Sequence, residues 1–571
     1  MPRLRQISDR MLLLETELPA TAASNAVLHR LAAQLRVFWQ GQPEAAGIVA
    51  ILPSFVSLSI EFEPSLIDAG RLAISARRLW RRERQHVHPR RRMMSSAARV
   101  SLTPRIHEIP VLYGGVAGPD LGSVAVETHL SEDEIRALHS GTVYQAYATG
   151  FSPGFVYLGL LPEELSVERL AVPRRRVPPG SVAIAGRQTA VYPLPTPGGW
   201  RIIGRTSRSL LRFSAAEPVL IRPGDAVRFY AVSTAEYEAM RIEEEGDMGR
   251  VGEKDGVRAA DDTQGVSSPP PAVVKGDVRM LPIAEVLQPG LLSTVQDLGR
   301  TDWIPYGFPL AGALDRAALR RANRLVGNPE GAAVLECTVT VPRLRFLAEV
   351  TLALAGADLG VLVDGQPLHG ERRVKVRPGQ ILSGTGRVEG VRCYIAFAGG
   401  LAVPVLGGSR STDLVAGIGG LGGRPLRAGD VLSCFAVDGS IGPMGTGYDA
   451  PATTESLIIR QPPPFATAHA LRVTPGPDDD RFGAEMLALF YNTTWHAGSD
   501  SNRMALTLDG VRLQLDEREP MYSKGASIGT IQVPSGGRPL VLLADHQTMA
   551  GYPHLATVIS ADLDHLAQIM P

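Results

Sequence analysis

Apolar and polar residues alternate along the first part of the chain in a pattern that predicts a small sheet with helices. Residues 56–62 carry apolar side chains at every second position, as in a strand with one solvent-facing side. Residues 22–35 carry them at helical spacing instead, and residues 11–14 and 48–51 are short apolar runs typical of strands. We therefore predict a small α+β domain over residues 1–83.

The next segment has the pattern of a small β-barrel. Ser131 and Glu134 have the spacing of a capping box, which begins a helix that ends near His139. From Gly150 to Thr206, glycine and proline separate short apolar runs, as in strands joined by tight turns. Such turns direct backbone N–H groups, hydroxyls and guanidinium groups to one rim, which suits an anionic or amide-bearing small molecule. This domain is predicted over residues 104–235.

One order of residues occurs twice in the chain. Glycine, glutamine, proline, two glycines, an apolar strand, a charged residue and threonine follow one another in residues 180–206 and again in residues 525–548. The repeat predicts two related small β-barrels that face each other, one in each half of the chain. The charged residues of the repeats, Arg205 and Asp545, are then expected to supply opposite charges to one shared cavity.

The chain between the two barrels is predicted to contain a tether. Residues 236–284 include three successive glutamates and three successive prolines, and we predict a disordered linker there because such residues cannot bury a core. Residues 285–465 form the first part of the second half, and residues 470–571 contain the second barrel. The predicted fold class is mainly β with α+β: two β-barrels plus smaller α+β subdomains.

Composition excludes several classes of function. The 571 residues have a formal net charge of zero, so nothing in the overall charge points to nucleic acid or to a membrane. The three cysteines form no close pair, and neither a metal site nor a disulfide framework is indicated. Apolar runs stay well short of the roughly 20 residues of a membrane span. We expect a cytoplasmic protein in a reducing compartment.

Familiar catalytic motifs are missing from the sequence. No lysine is followed by serine or threonine as in a phosphate-binding P-loop, and no zinc-binding His-Glu-x-x-His helix occurs. Ser152 lies in Gly-Phe-Ser-Pro-Gly, where the proline removes the N–H that a nucleophile elbow uses for its oxyanion hole. The candidates are therefore dispersed polar residues.

Each candidate has a functional and a structural interpretation. His139, Arg205 and Asp545 are predicted as catalytic residues, with helix capping as the alternative for the first and a structural ion pair for the other two. Binding residues could instead brace loops, close the barrels or be solvated charges. The residues predicted to bind substrate or nucleotide are Ser152, Arg176, Gln188, Gln296, Arg300, Arg410, Asp413, Asn502, Arg503, Gln532, Gln547 and Tyr552.

Long motifs give the two halves a family resemblance. They lie at residues 139–140, 150–159, 179–186 and 198–200 in the first half and at 294–300, 326–329, 408–413, 502–504, 532–534 and 551–553 in the second. Residues 1–235 resemble the KipI-like family of allophanate hydrolase subunit 1, and residues 285–571 resemble the KipA-like family of subunit 2. The same pair is similar to the B and C subunits of prokaryotic 5-oxoprolinase and to the carboxyltransferase portion of urea carboxylase.

The resemblance implies a fold, an activity and partners. It implies cyclophilin-like barrels and an ATP-dependent 5-oxoprolinase that uses ATP with Mg²⁺ on a small amide or lactam, together with a separate protein that resembles the A subunit of 5-oxoprolinase. The alternatives are a biotin-dependent carboxyltransferase acting on urea or a related amide, with no biotin bound on this chain, and a non-enzymatic regulator of a histidine kinase. A homo-oligomer is left open. The sequence departs from the family's usual residues at Ala190, Lys524 and His546.

Overall fold

A computed structural model of the protein describes residues 2–87, 105–213, 217–254, 278–368, 370–437, 470–516 and 521–570. The first unit is a four-stranded antiparallel sheet in the order β1-β2-β4-β3, covered by two helices that pack against each other. Its elements are β1 (Arg3–Ser8), β2 (Met11–Glu15), α1 (Ala22–Trp39), β3 (Ile48–Pro53), β4 (Ser57–Phe62) and α2 (Ala69–Val87).

The second unit contains a closed seven-stranded barrel in the order β10-β7-β6-β13-β5-β12-β9. Its elements are β5 (Ile106–Tyr113), α3 (Leu121–Thr128), α4 (Glu132–Gly141), β6 (Val143–Thr149), β7 (Val156–Gly159), β8 (Arg174–Val177), β9 (Ser181–Ala185), β10 (Gln188–Val191), β11 (Thr196–Gly198), β12 (Arg201–Arg205), β13 (Ala226–Ala231) and α5 (Thr234–Lys254). Only the pair β5–β13 in this ring is parallel. The barrel therefore closes on itself without exposed edges.

The third unit packs a six-stranded sheet, β20-β19-β22-β17-β14-β24, against a five-stranded sheet, β15-β16-β23-β18-β21, around one apolar core. The helix α6 covers the five-stranded sheet. The elements are β14 (Val278–Gln288), β15 (Leu292–Gln296), α6 (Arg316–Val326), β16 (Val334–Thr338), β17 (Arg343–Phe346), β18 (Val350–Asp358), β19 (Val361–Val363), β20 (Gln366–Pro367), β21 (Arg373–Val376), β22 (Ile381–Gly384), β23 (Glu389–Phe397) and β24 (Val431–Val437).

The last unit contains a six-stranded sheet, β25-β32-β29-β30-β27-β26, and a separate pair, β28-β31. Its elements are β25 (Val473–Pro475), α7 (Ala484–Asn492), β26 (His496–Ala497), β27 (Ala505–Asp509), β28 (Lys524–Gly525), β29 (Thr530–Gln532), β30 (Leu540–Leu542), β31 (Met549–Ala550), β32 (His554–Val558) and α8 (Leu563–Leu566). The mainly β fold class is confirmed, and the closed barrel lies in the first half.

The predicted disordered linker over residues 236–284 is wrong at both ends, because α5 continues to Lys254 and β14 begins at Val278. Ser233 and Glu236 form reciprocal hydrogen bonds that begin α5. Glu244 accepts hydrogen bonds from the side chain of Arg208 and the backbone N–H of Ser209, so the glutamate run has partners on the barrel. Residues 255–277 lie outside the described residues.

Candidate functional site

The two halves of the chain meet at the loop between β6 and β7. The backbone N–H of Met549 donates to the carbonyl of Gly150 at 3.3 Å, and the N–H of Gly154 donates to the carbonyl of Tyr306 at 3.2 Å. The hydroxyl of Thr149 donates to the carbonyl of Pro305 at 3.0 Å. We call this contact between residues 149–155, 304–308 and 548–549 the junction.

Apolar packing on both sides of the junction joins the halves into a continuous core. Val219 of the first half packs with Trp303, Phe308 and Ile418 of the second half. Met549 packs with a group of buried aromatic residues of the first half that includes Phe155. The junction is thus an internal surface of the protein.

Two hydroxyl groups at the junction have no hydrogen-bond partner among the described residues. Ser152 is 4% exposed, and its Oγ is buried without a partner. Thr548 Oγ1 is also without one, and it lies so close to Gly150 that a Cβ on that glycine would overlap it. Because an unpaired buried hydroxyl costs free energy, these groups are candidates for binding a polar molecule.

A loop from Leu406 to Arg424, which we call the glycine-rich loop, is fixed next to the junction by Asp297. The carboxylate of Asp297 accepts hydrogen bonds from the hydroxyl groups of Ser409 and Ser411 and from the backbone N–H of Arg410. It also accepts one from the N–H of Gly299. Asp297 therefore positions the loop.

The side chain of Arg300 is wholly buried inside this loop. Its Nε donates to the carbonyl of Leu406 at 2.9 Å, and its Nη2 donates to the carbonyl of Ser411 at 2.7 Å. Its guanidinium lies over the ring of Trp303, with Cζ 5.9 Å from the ring centroid. Nη1 is buried without a partner in the described structure. Arg300 holds the loop together and retains one free donor.

Asp413 and Gln296 are buried beside this arginine and also keep one free atom each. Asp413 Oδ1 accepts from the backbone N–H groups of Val415 and Ala416, whereas Oδ2 has no partner among the described residues. Burial raises the pKa of Asp413 to about 6. The Gln296 amide donates to Thr412, and its Oε1 is unpaired.

Arg410 is the more accessible cation of the glycine-rich loop. Its guanidinium lies over the ring of Phe435 at 5.0 Å, and the structure records no ion pair for it among the described residues. Burial lowers the pKa of Arg410, and the nearby carboxylate of Asp297 partly offsets this effect. A half-buried arginine on a glycine-rich loop is suited to bind an anion.

Asp545 and Arg503 form a structural ion pair, so the catalytic role predicted for Asp545 and the binding role predicted for Arg503 are not supported. Both side chains are buried, and Arg503 also donates to Glu336 and to the carbonyl of Gly312. Burial opposes the charge of Arg503, but the neighbouring carboxylates outweigh burial and keep its pKa above the usual value. The hydrogen bonds of Arg503 to Glu336 and Gly312 join the last unit to the third unit.

Arg205 does not meet Asp545 in the described structure. It lies at the end of β12, and its Nε donates to the carbonyl of Pro179 at 3.1 Å. The expectation that these two charges face one cavity is wrong, because each residue of the repeat finds its partner within its own half. Arg176 is exposed on β8, and Gln188 is half-buried at the start of β10.

His139 is a core residue of the first barrel. Its Nδ1 pairs with the hydroxyl of Tyr113 at 2.7 Å, its Nε2 pairs with the hydroxyl of Thr189 at 2.9 Å, and its ring stacks on Phe229. Burial lowers the pKa of His139 to about 3. Since the ring is fully buried and both nitrogens are occupied, neither the catalytic role nor a partly exposed capping histidine is supported.

The remaining predicted residues belong to the last unit. Gln532 is fully buried with both amide atoms unpaired among the described residues, beside its cross-strand neighbour His554. Asn502 Oδ1 accepts from the N–H of Met504 and braces its own turn. Gln547 is half-buried, and Tyr552 is exposed.

Two of the departures from the family's usual residues have partners in this structure. Lys524 Nζ donates to Asp478 at 2.7 Å, and the other oxygen of Asp478 accepts from the N–H of His554. Nδ1 of His546 lies 2.7 Å from the carbonyl oxygen of Gln547. Burial lowers the pKa of His546 to about 4.

The strongest signal missed in the sequence is a glycine run. Residues 417–423 contain five glycines in seven positions, and all five have positive φ. Glycine at this density marks a loop whose backbone approaches a ligand or another chain segment closely. The run lies in the same loop as Arg410 and Asp413, so it could have been found by scanning for glycine density.

Within the described ranges, no group of three or more His, Cys, Asp or Glu side chains could hold a metal ion. An open groove of about 550 Å³ lies beside β5 and β13, and none of the predicted site residues lines it. Among the helices that the structure describes, none is both long and apolar enough to cross a membrane.

Family models and known proteins match each half of the chain separately. A family model described as carboxyltransferase domain, subdomain C and D, matches residues 2–221, and one for subdomain A and B matches residues 306–571. The B subunit of 5-oxoprolinase from Escherichia coli O157:H7 is 41% identical over 226 residues, 39% of this chain and 93% of that protein. The C subunit of 5-oxoprolinase from Escherichia coli K12 is 36% identical over 285 residues, 50% of this chain and 87% of that protein.

Two further comparisons concern a solved structure and a more distant relative. The crystal structure of TTHA0988 superposes with a TM-score of 0.75 at 30% identity and covers 98% of both chains. The urea amidolyase of Saccharomyces cerevisiae is 29% identical over 305 residues, but the match spans only 16% of that longer protein. The chain belongs to the family of carboxyltransferase-domain proteins that includes the B and C subunits of 5-oxoprolinase.

Proposed function

We propose that this chain is a component of an ATP-dependent 5-oxoprolinase that carries the equivalents of the B and C subunits in one polypeptide. The observation that carries the proposal is the near-complete coverage of both relatives, 93% of one and 87% of the other, by a single chain. The lengths of the two matches correspond to the two halves, which meet at the junction. The fused halves would phosphorylate 5-oxoproline and act with a separate partner that resembles the A subunit of that enzyme.

The proposed chemistry explains why ATP is needed. The lactam oxygen attacks the terminal phosphorus of ATP, a new O–P bond forms, and the bond to ADP breaks. Water then adds to the activated carbon, the ring C–N bond breaks as the nitrogen takes up a proton, and a second water releases phosphate to leave glutamate. Phosphorylation of the oxygen removes the amide resonance and makes the ring carbon electrophilic, and it provides phosphate as a good leaving group for the last hydrolysis.

The junction offers groups that suit this substrate class. A lactam presents a carbonyl acceptor and an N–H donor on the same side of its ring, and a free hydroxyl can serve either one. Ser152 and Thr548 supply unpaired hydroxyls from the two halves. Mg²⁺ would be held mainly through nucleotide phosphates with one or two carboxylates, so it needs no dedicated cluster of protein ligands.

The direct test uses the full chain with its separate partner protein. We expect consumption of ATP and 5-oxoproline and formation of glutamate only when both proteins are present. Ser152→Ala should lower kcat/KM about tenfold through loss of a hydrogen bond, whereas Ser65→Ala on an exposed loop should leave it unchanged. Absence of 5-oxoproline-dependent ATP turnover in the complete mixture would contradict the proposal.

A second candidate function is carboxyl transfer from a carrier-borne biotin to urea or a related amide. The matching family models are named for carboxyltransferase subdomains, and a putative urea carboxylase of Emericella nidulans is 31% identical over 299 residues. The same purified chain would then consume carboxybiotin in the presence of urea. Consumption of carboxybiotin without any response to 5-oxoproline would favour this function over the first.

A further inference from the structure

We infer that the glycine-rich loop, with Arg410 as its cation, binds the phosphate groups of a nucleoside triphosphate. The inference rests on the proposed ATP dependence and adds the location of the phosphate site. The sequence contains no P-loop, so the phosphates need another part of the chain.

The backbone of the loop contains five glycines in the left-handed conformation, which occurs in anion-binding backbone nests. Gly417, Gly419, Gly420, Gly422 and Gly423 have φ values of 69°, 72°, 50°, 67° and 69°. Runs of residues that include the left-handed conformation direct neighbouring N–H groups toward one point, where they can bind an anion. Side chains larger than glycine rarely adopt this conformation, which explains the glycine density.

Of the five glycines in residues 417–423, two have an N–H group without a recorded backbone acceptor in the described structure. Those of Gly417, Gly420 and Gly423 donate to carbonyl groups inside the loop. For Gly419 and Gly422, no acceptor is recorded among the described residues. Gly422 is exposed and has open space where a Cβ would lie, so the loop is accessible there.

Positive charge lies at the accessible side of the loop. Arg410 is half-buried, and the structure records no ion pair for it among the described residues. Arg300 lies behind the loop, where a Cβ on Gly419 would come within 2.8 Å of its Nη2, and its buried Nη1 has no partner among the described residues. This unpaired buried donor is an independent sign of an anion site.

Two of the carboxylates beside the loop, Asp297 and Asp413, are buried and hydrogen-bonded, whereas Asp302 is exposed next to Gly408. Asp297 is occupied by hydrogen bonds from four groups of the loop and of residue 299. Asp413 is fully buried and caps two N–H groups of its own turn.

Binding measurements on the full chain test the site independently of turnover. Titration calorimetry with ATP should give a dissociation constant at least tenfold weaker for Arg410→Gln than for the unaltered chain. Arg343→Gln, which removes an exposed arginine from β17, should bind ATP normally. Arg410→Lys should retain most of the affinity, and 5-oxoproline binding should be unchanged in all three variants.

Hydrogen exchange gives a readout that needs no substitution. ATP and tripolyphosphate should slow amide exchange in peptides covering residues 406–424, and adenosine should not. Normal ATP binding by Arg410→Gln, or protection confined to other segments, would overturn the loop assignment while leaving the proposed function intact. Absence of both ATP binding and ATP turnover in the complete mixture would overturn both.

Discussion

Arg503 and Asp545 are joined by two hydrogen bonds of 3.0 Å each, and the pair is buried between the third and last units. Arg503 also contacts Glu336, which accepts further hydrogen bonds from the hydroxyl of Tyr394 and the N–H of Leu314. Two residues predicted as parts of an active site are thus the centre of a network that fixes the arrangement of the second half.

Removing one partner of this pair should destabilise the protein strongly. Asp545→Asn leaves part of the charge of Arg503 uncompensated in a buried position, and we expect a loss of about 3–5 kcal/mol in the free energy of unfolding. Asp500→Asn breaks the exposed pair with Arg538 and should change stability little. Urea denaturation of both variants measures the difference, and equal effects would contradict a buried structural role.

The junction predicts different outcomes for two glycines with positive φ. Gly150→Ala introduces a methyl group that would overlap Thr548 and approach Met549, so it should loosen the contact between the halves. Gly186→Ala also has strained backbone but open space around its Cβ, and it should cost only about 1 kcal/mol. Limited proteolysis should cleave the Gly150→Ala protein faster than the Gly186→Ala protein, because the loosened contact exposes more of the chain. Equal cleavage rates would argue against a role of the junction in holding the halves together.

His139 is expected to support the barrel without acting in the reaction. His139→Gln should lower the melting temperature because a stacked, doubly hydrogen-bonded ring is lost from the core. The value of kcat per folded molecule should change less than about threefold, with the same pH profile, since the buried ring is out of reach of a substrate. A loss of about a hundredfold in kcat at unchanged folding would restore the acid–base role.

Glu61 should make stability depend on pH. Burial raises its pKa to about 7 from an ordinary value of 4.5. Between these values the folded state holds a proton that the unfolded state has lost, so the contribution of Glu61 to stability falls as pH rises from 4.5 through 7. Glu61→Gln should therefore gain stability over the unaltered protein at about pH 8, by at most about 3 kcal/mol, and little at about pH 4.

A matched carboxylate provides the control for this pH effect. The control is Glu108→Gln, the same substitution at an exposed position on β5. Thermal unfolding of the three proteins across the range from about pH 4 to about pH 8 measures the differences. A gain for Glu61→Gln that is constant across this range would mean that its ionisation is not involved.

Local signals in the sequence predicted local structure well. Ser131 and Glu134 form the expected capping box, and the helix that it begins ends two residues after His139, as expected. Each of these features depends on residues within a few positions, so the chain itself carries the information.

Long-range pairing was harder to predict because it depends on which surfaces meet. The glutamate run of α5 looked like a solvated linker, yet Glu244 binds Arg208, which lies 36 positions earlier in the chain. Asp545 was expected to face Arg205, but Arg503 is its partner 42 positions away. The order of residues in the repeat does not specify such partners. A buried charge needs an opposite charge beside it, so burial determines whether a charged residue has a structural role.

The hydrogen bond between Met549 and Gly150 joins the two halves within one polypeptide. The bacterial relatives carry the equivalents of the two halves as separate chains, which must find each other in solution. Here one polypeptide supplies both, so their stoichiometry is fixed at one to one and dilution cannot separate them. The strength of the contact can consequently be low without loss of the assembled state.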